Sequence, residues 1–157
     1  MVRADPLPLQ VHTGLGDTDL AVHRADPSLL RPLLEDERWS HVPVVLPHCY
    51  PFVAQASYLA GVHANVHLDL SRAVTLVAHR GADLVLQALD LAPATKLLFA
   101  TDASRLAEAF FLGARWWRDA LARVLGRLID DQAVDGATAA RWAGLVLAGN
   151  AQRVYCL

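Results

Sequence analysis

Val42–Pro43–Val44–Val45–Leu46–Pro47–His48 is the stretch that decides the fold of this chain. Six apolar residues, rich in β-branched side chains and too few for a buried helix, break off on a histidine. That is the pattern of a strand covered on both faces. Three more runs repeat it. Pro8–Leu9–Gln10–Val11 ends on His12, Asn65–Val66–His67–Leu68–Asp69–Leu70 follows the first run, and Lys96–Leu97–Leu98–Phe99–Ala100–Thr101 ends on Asp102.

The segments between and after these runs carry helical spacing. Leu29, Leu30, Leu33 and Leu34 predict a short helix over 28–37, with Pro32 tolerated in its first turn. Helices are also expected over 51–62, opening on Pro51 and ending near Gly61, and over 81–91, stopped by Pro93. The clearest is 105–130. There Leu106, Phe110, Ala114, Trp117, Leu121, Val124 and Leu128 recur at three- and four-residue steps, with the arginines largely elsewhere. A last helix over 136–147 is expected to close on Gly149–Asn150. Strands alternating with helices imply βα units and a parallel sheet.

Composition narrows the class. The 157 residues suffice for one domain, 1–157, with a sizeable core. Hydrophobic residues make up 54% and charged residues 19%, which excludes a disordered chain. The formal net charge of −2 argues against nucleic-acid binding, because the basic residues, all arginine but Lys96, form no basic run. No apolar stretch approaches the ~18 residues that cross a bilayer, so no membrane role is expected. Met1–Val2–Arg3–Ala4–Asp5–Pro6 lacks the regions of a signal peptide. Cys49 and Cys156 form no paired motif and are expected as reduced thiols in a cytoplasmic protein. Nucleotide-binding glycine loops and a serine nucleophile elbow are both missing.

Chemistry concentrates at the strand ends. In a parallel α/β barrel these ends converge on one mouth, and two imidazoles and a carboxylate there form a divalent-metal donor set. His12 and His48 read as metal ligands or as strand-end histidines that bind nothing. Asp102 reads as a ligand or as the N-cap of the helix after it. Pleat alternation puts Phe99 on the helix side and Asp102 inside. It likewise puts Val66, Leu68 and Leu70 outside, leaving His67 and Asp69 inside as candidate substrate-binding residues. A carboxylate buried at Asp69 needs a partner. Cys49 reads as a small buried filler rather than a ligand, the Trp116–Trp117 pair as helix packing, and Glu108 as a surface charge.

Taken in order, Leu9–Gln10–Val11–His12–Thr13–Gly14, Leu46–Pro47–His48–Cys49–Tyr50–Pro51, Asn65–Val66–His67–Leu68–Asp69–Leu70–Ser71, Phe99–Ala100–Thr101–Asp102–Ala103 and Asn150–Ala151–Gln152–Arg153–Val154–Tyr155 resemble the C-terminal half of the amidohydrolase superfamily. The nearest group includes the amidohydrolase domain fused to glutamine synthetase in nodulin-like and fungal developmental proteins. The resemblance implies strands five to eight of a (β/α)8 TIM-type barrel. It also implies His12 and His48 as metal ligands and Asp102 as both ligand and general base. In the family a divalent metal, usually zinc, polarises a carbonyl and activates a water for attack on a C–N bond. Here that bond would belong to an amide of a glutamine-related or γ-glutamyl compound. A metal-dependent decarboxylase on the same framework, and a catalytically inactive half-barrel acting by association, are the alternatives. The family's H-x-H pair of strand one does not occur in the chain. The expectation is therefore a fragment that forms a homo-oligomer or associates with a missing N-terminal half.

Overall fold

The computed structural model describes residues 7–157; the reading of Met1–Pro6 lies outside them. Four parallel strands form one sheet in the order β1 (Leu9–Gln10), β2 (Val44–Leu46), β3 (Val66–Asp69) and β4 (Leu97–Leu98). Register runs Leu9 to Val44, Val44 to Val66 and Leu68 to Leu97. The helices are α1 (Arg31–Leu34), α2 (Val53–Val62), α3 (Ser71–Val77), α4 (Gly81–Ala88), α5 (Ala107–Asp130), α6 (Gly136–Gly144) and α7 (Asn150–Tyr155). The class is α/β with a parallel sheet, as the alternating runs predict.

Alternation along each strand divides the molecule into two layers. Val44, Leu46, Val66, Leu68 and Leu97 point to one side and pack with α2 to α5 around the fully buried Trp117. Phe99 joins this side and meets Trp117 edge-on, ring centroids 5.6 Å apart, as the pleat argument requires. Removing each of these large side chains from water contributes about 1.5–3 kcal/mol, so this layer supplies most of the fold's cohesion. On the other face Val45 and Leu98 pack with Val154, Ala151 and Tyr155 of α7. The same face carries the polar side chains His67 and Asp69, each buried at 7% exposure.

The helices differ from the sequence expectation in several places. The 28–37 segment is a 3₁₀ turn at Pro27–Leu30, capped by Asp26, followed by the single turn of α1. Helices α2 and α5 begin two residues later than expected, and α4 stops at Ala88. Helix α3 has no counterpart in the helical spacing: Arg72–Ala73–Val74–Thr75 is short and half β-branched, and burial of Ala73 and Val74 holds it. Gly149–Asn150 does not end the last helix. The chain continues from α6 through a π-helical stretch, Leu145–Gly149, into α7, and the left-handed residue is Cys156.

That continuation has a structural cause. Asn150 is fully buried, and its Nδ2 donates to the carbonyls of Ala94 and Leu97, each at 2.7 Å. Phe99 N–H donates to the Val146 carbonyl at 3.1 Å. The outer edge of β4 is thus closed by the C-terminal helix. At the opposite end of the sheet β1 remains an exposed edge, with Leu9 43% accessible.

Candidate active site

The loop after β1 is stitched to the loop after β2, and this brings His12 to His48. Thr13 N–H donates to the Pro47 carbonyl, Cys49 N–H to the Thr13 carbonyl, and Leu15 N–H to the Tyr50 carbonyl. The Thr13 hydroxyl adds a 2.9 Å bond to the Pro47 carbonyl. Gly14 makes this approach possible: at φ +75°, a Cβ there would overlap the Tyr50 carbonyl oxygen. The two imidazole centroids end 4.6 Å apart, tilted by 54°.

Three successive strand ends hold non-glycine residues in left-handed backbone: His48 at φ 70°, Ser71 at φ 35° and Asp102 at φ 50°. Such conformations cost roughly 1–3 kcal/mol each and persist where surrounding contacts hold them, often at functional sites. Here they turn the chain sharply at the mouth. Asp102 does not serve as a helix cap, because α5 begins at Ala107 with Leu106 at the N-cap position.

The imidazoles present usable nitrogens. His12 Nε2 lies 2.6 Å from the Leu15 carbonyl oxygen. A carbonyl only accepts, so Nε2 carries a proton and Nδ1 is the nitrogen left to act as a ligand. His48 is 7% exposed, and its Nδ1 is buried with no hydrogen-bond partner. Burial, the nearby His12 and Arg72 all hold His48 below the usual imidazole range, against an opposing pull from Asp102. His48 is therefore a neutral donor at pH 7. Among the described residues, no three His, Cys, Asp or Glu side chains converge as a ready metal cage. What stands together is the histidine pair, with Asp102 bordering the same cavities.

Deeper along the sheet lie Asp69 and His67. Burial pushes the Asp69 carboxyl up to about 7, with the Asp102 charge adding to it and the backbone amides of His48 and Ser71 opposing. Its Oδ1 has no partner. Burial, then Lys96 and Arg153, push His67 down to about 4, with Asn65 opposing, and its Nδ1 is likewise unpartnered. Asp69 lines a cavity of about 370 Å³ with Gln10, His12, His48, Asp102 and Tyr155. His67 is not among the residues lining that cavity. Cys49 is fully buried, its thiol directed at the Leu46 carbonyl, and burial pushes it up, which makes it a filler. Glu108 is exposed on α5.

Two cavity residues stand outside the strand-end pattern. Tyr155 reaches the cavity from α7, its hydroxyl accepting from Gln10 Nε2 at 2.5 Å. Arg72 lines an adjoining cavity with both histidines and Asp102. Tyr155 is placed by packing of the distant C-terminal helix, and Arg72 directly follows the strand-end turn at Ser71.

Comparison with known proteins accords with this geometry. An amidohydrolase family model matches residues 4–157. Protein FluG of Emericella nidulans is 35% identical over 150 residues, covering 94% of this chain and 17% of that protein. A crystal structure of a candidate metal-dependent hydrolase from Lactobacillus casei ATCC 334 superposes with a TM-score of 0.89 at 34% identity, covering 95% of this chain and 39% of the other. The chain therefore spans well under half the length of either relative. With nearly every residue matched by the family model, and with the parallel sheet and strand-end histidines in place, the chain belongs to the amidohydrolase family.

Proposed function

We propose that this chain is the C-terminal half of a (β/α)8 amidohydrolase that cleaves a C–N bond in a small amide, with His12, His48 and Asp102 holding a divalent metal, zinc in the first instance. The observation that carries the reading is the histidine pair: two rings 4.6 Å apart, one with its Nδ1 buried and unpartnered, opening on one cavity with Asp102. An orphaned imidazole nitrogen beside a second imidazole and a carboxylate suits a borderline cation of the zinc type. The His12–Leu15 hydrogen bond fixes the ring orientation as outer-shell partners of ligating histidines do. The Lactobacillus casei relative, described as a metal-dependent hydrolase, supports a metal at this site.

When bound, the ion supplies Lewis acidity toward the amide carbonyl. The chain's own groups do the rest. Asp102 accepts the proton of the attacking water and returns it to the departing amine. Asp69, with its carboxyl near 7, is the second group able to hold or release a proton within the cavity. Tyr155 and Gln10 close the floor and keep substrate against the strand ends. A glutamine-related or γ-glutamyl amide is the substrate proposed first. We also propose that the exposed β1 edge and its apolar groove of Leu9, Leu33, Trp39, Val42 and Val44 take the complementary N-terminal half-barrel, which would contribute further metal ligands. The greater length of both relatives supports this.

The test is a release assay on γ-glutamyl amides with zinc supplied, using the chain alone and reconstituted with the N-terminal half of a relative. Ammonia or amine release that disappears in Asp102→Asn, with metal retained, supports the proposal. Carbon dioxide release instead would assign a decarboxylase, and no turnover under either condition would leave an inactive half-barrel.

A further inference from the structure

Arg72 is the one arginine that borders the histidine pair among the described residues. It follows Ser71, whose left-handed backbone turns the chain just past β3, and it lines a cavity of about 300 Å³ with His12, His48, Asp102, Leu15 and Leu76. Its charge is felt at His48. Among the described residues the ion pairs engage Arg31, Arg38, Arg80, Arg115 and Arg127. Arg72 itself has no ion pair or hydrogen bond among the described residues, although Asp17 and Asp102 border the same cavity. An unpaired guanidinium facing a cavity keeps its full donor fork available, and that fork matches a carboxylate bidentately. The lining of the same cavity also includes the apolar side chains of Leu15 and Leu76.

We propose that Arg72 is the specificity-determining residue of this site and binds a carboxylate on the substrate, so that the substrate class is an amide carrying a carboxylate at the far end of a short aliphatic spacer. This rests on the hydrolase reading for the role of the histidine end, but the carboxylate contact itself needs no metal. The arrangement divides the labour by chemistry. Arg72 takes the anion, Leu15 and Leu76 flank the methylenes, and the amide is left beside His12 and His48. Asp17 and Asp102 disfavour a second anionic group at the histidine end, so the ligand has one carboxylate oriented one way.

The test uses the purified chain in chelator, with backbone amide NMR shifts read against glutarate monoamide and against its neutral counterpart, glutaramide. The monoamide is expected to bind about tenfold more tightly than the diamide. Arg72→Ala is expected to bring it down to the diamide's level, and Arg72→Lys to fall between, because a lysine keeps the charge and loses the fork. Salt should weaken the monoamide alone. Equal binding of the two ligands by the wild type, an Arg72→Ala variant that still prefers the monoamide, or no saturable shift from the monoamide would overturn the assignment. A zinc titration of the same samples separates the two readings. Carboxylate selectivity without zinc binding overturns the metal site and leaves Arg72 in its role; zinc binding without selectivity does the reverse.

Discussion

Replacing Asp69 by asparagine should change how stability depends on pH, and the structure sets the size of the change. In the wild type the Asp69 carboxyl sits near 7 when folded, against an ordinary aspartate value near 4 when unfolded. Between these values the folded state holds the proton more tightly, so stability falls as pH rises from about 4 to 7 and levels off above. The gap between the folded and unfolded values corresponds to about 4 kcal/mol in all, of which about 3 kcal/mol falls between pH 5 and 8. His67 acts oppositely. Its folded value near 4 lies below the ordinary imidazole value near 6.5, so the unfolded state holds more protons there and stability rises across that window, by about 2 kcal/mol above pH 5. The two nearly cancel in the wild type. Asp69→Asn removes the falling component, so urea unfolding in chelator should show the variant gaining about 3 kcal/mol on the wild type between pH 5 and 8. His67→Gln should lose about 2 kcal/mol relative to the wild type over the same range. A difference between Asp69→Asn and wild type that stays constant across this range would show that the carboxyl titrates normally and refute the account of Asp69 as a carboxyl shifted by burial.

Two further substitutions probe how the site is held. Asn150→Ala strips the hydrogen bonds from the Ala94 and Leu97 carbonyls, and at about 1–3 kcal/mol for each buried group left unpaired should cost roughly 3 kcal/mol. That lowers Tm by about 10 °C in a chain of this size, measured by thermal unfolding; a shift under about 2 °C would mean that these bonds do not hold α7. Gly14→Ala drives a Cβ into the Tyr50 carbonyl oxygen at a φ of +75°. It should cost about 2 kcal/mol or more and separate His12 from His48. Loss of the NMR contact between the two rings would check this, and retention of that contact with unchanged stability would speak against the stitched loops.

Much of the site is legible in the sequence because the pleat does the sorting. Once the 97–102 run is read as a strand, Phe99 must face the helices and Asp102 the other side, and Phe99 does meet Trp117. The same alternation puts His67 and Asp69 on the face opposite Val66 and Leu68. What sequence does not carry is the work of tertiary contacts on weak local signals. Gly149–Asn150 has the composition of a helix stop, yet the Asn150 amide donates to the carbonyls of Ala94 and Leu97, and the helix runs on. Arg72–Ala73–Val74–Thr75 is short, with β-branched Val74 and Thr75, and its helix is held by burial of Ala73 and Val74. Arg72 and Tyr155 reach the cavities from a strand-end turn and from the C-terminal helix, and no spacing rule connects either to His12.

The most direct test of the account is a zinc titration of the purified chain by equilibrium dialysis, with His12→Ala and His48→Ala beside the wild type. Outer-shell changes at metal sites cost about 10- to 100-fold in affinity, so removal of a direct ligand should cost at least about a hundredfold. The account predicts about one zinc per chain in the wild type and loss of that ion in both variants. No retained zinc, or zinc bound equally well by His48→Ala, would contradict the metal-dependent reading of this site.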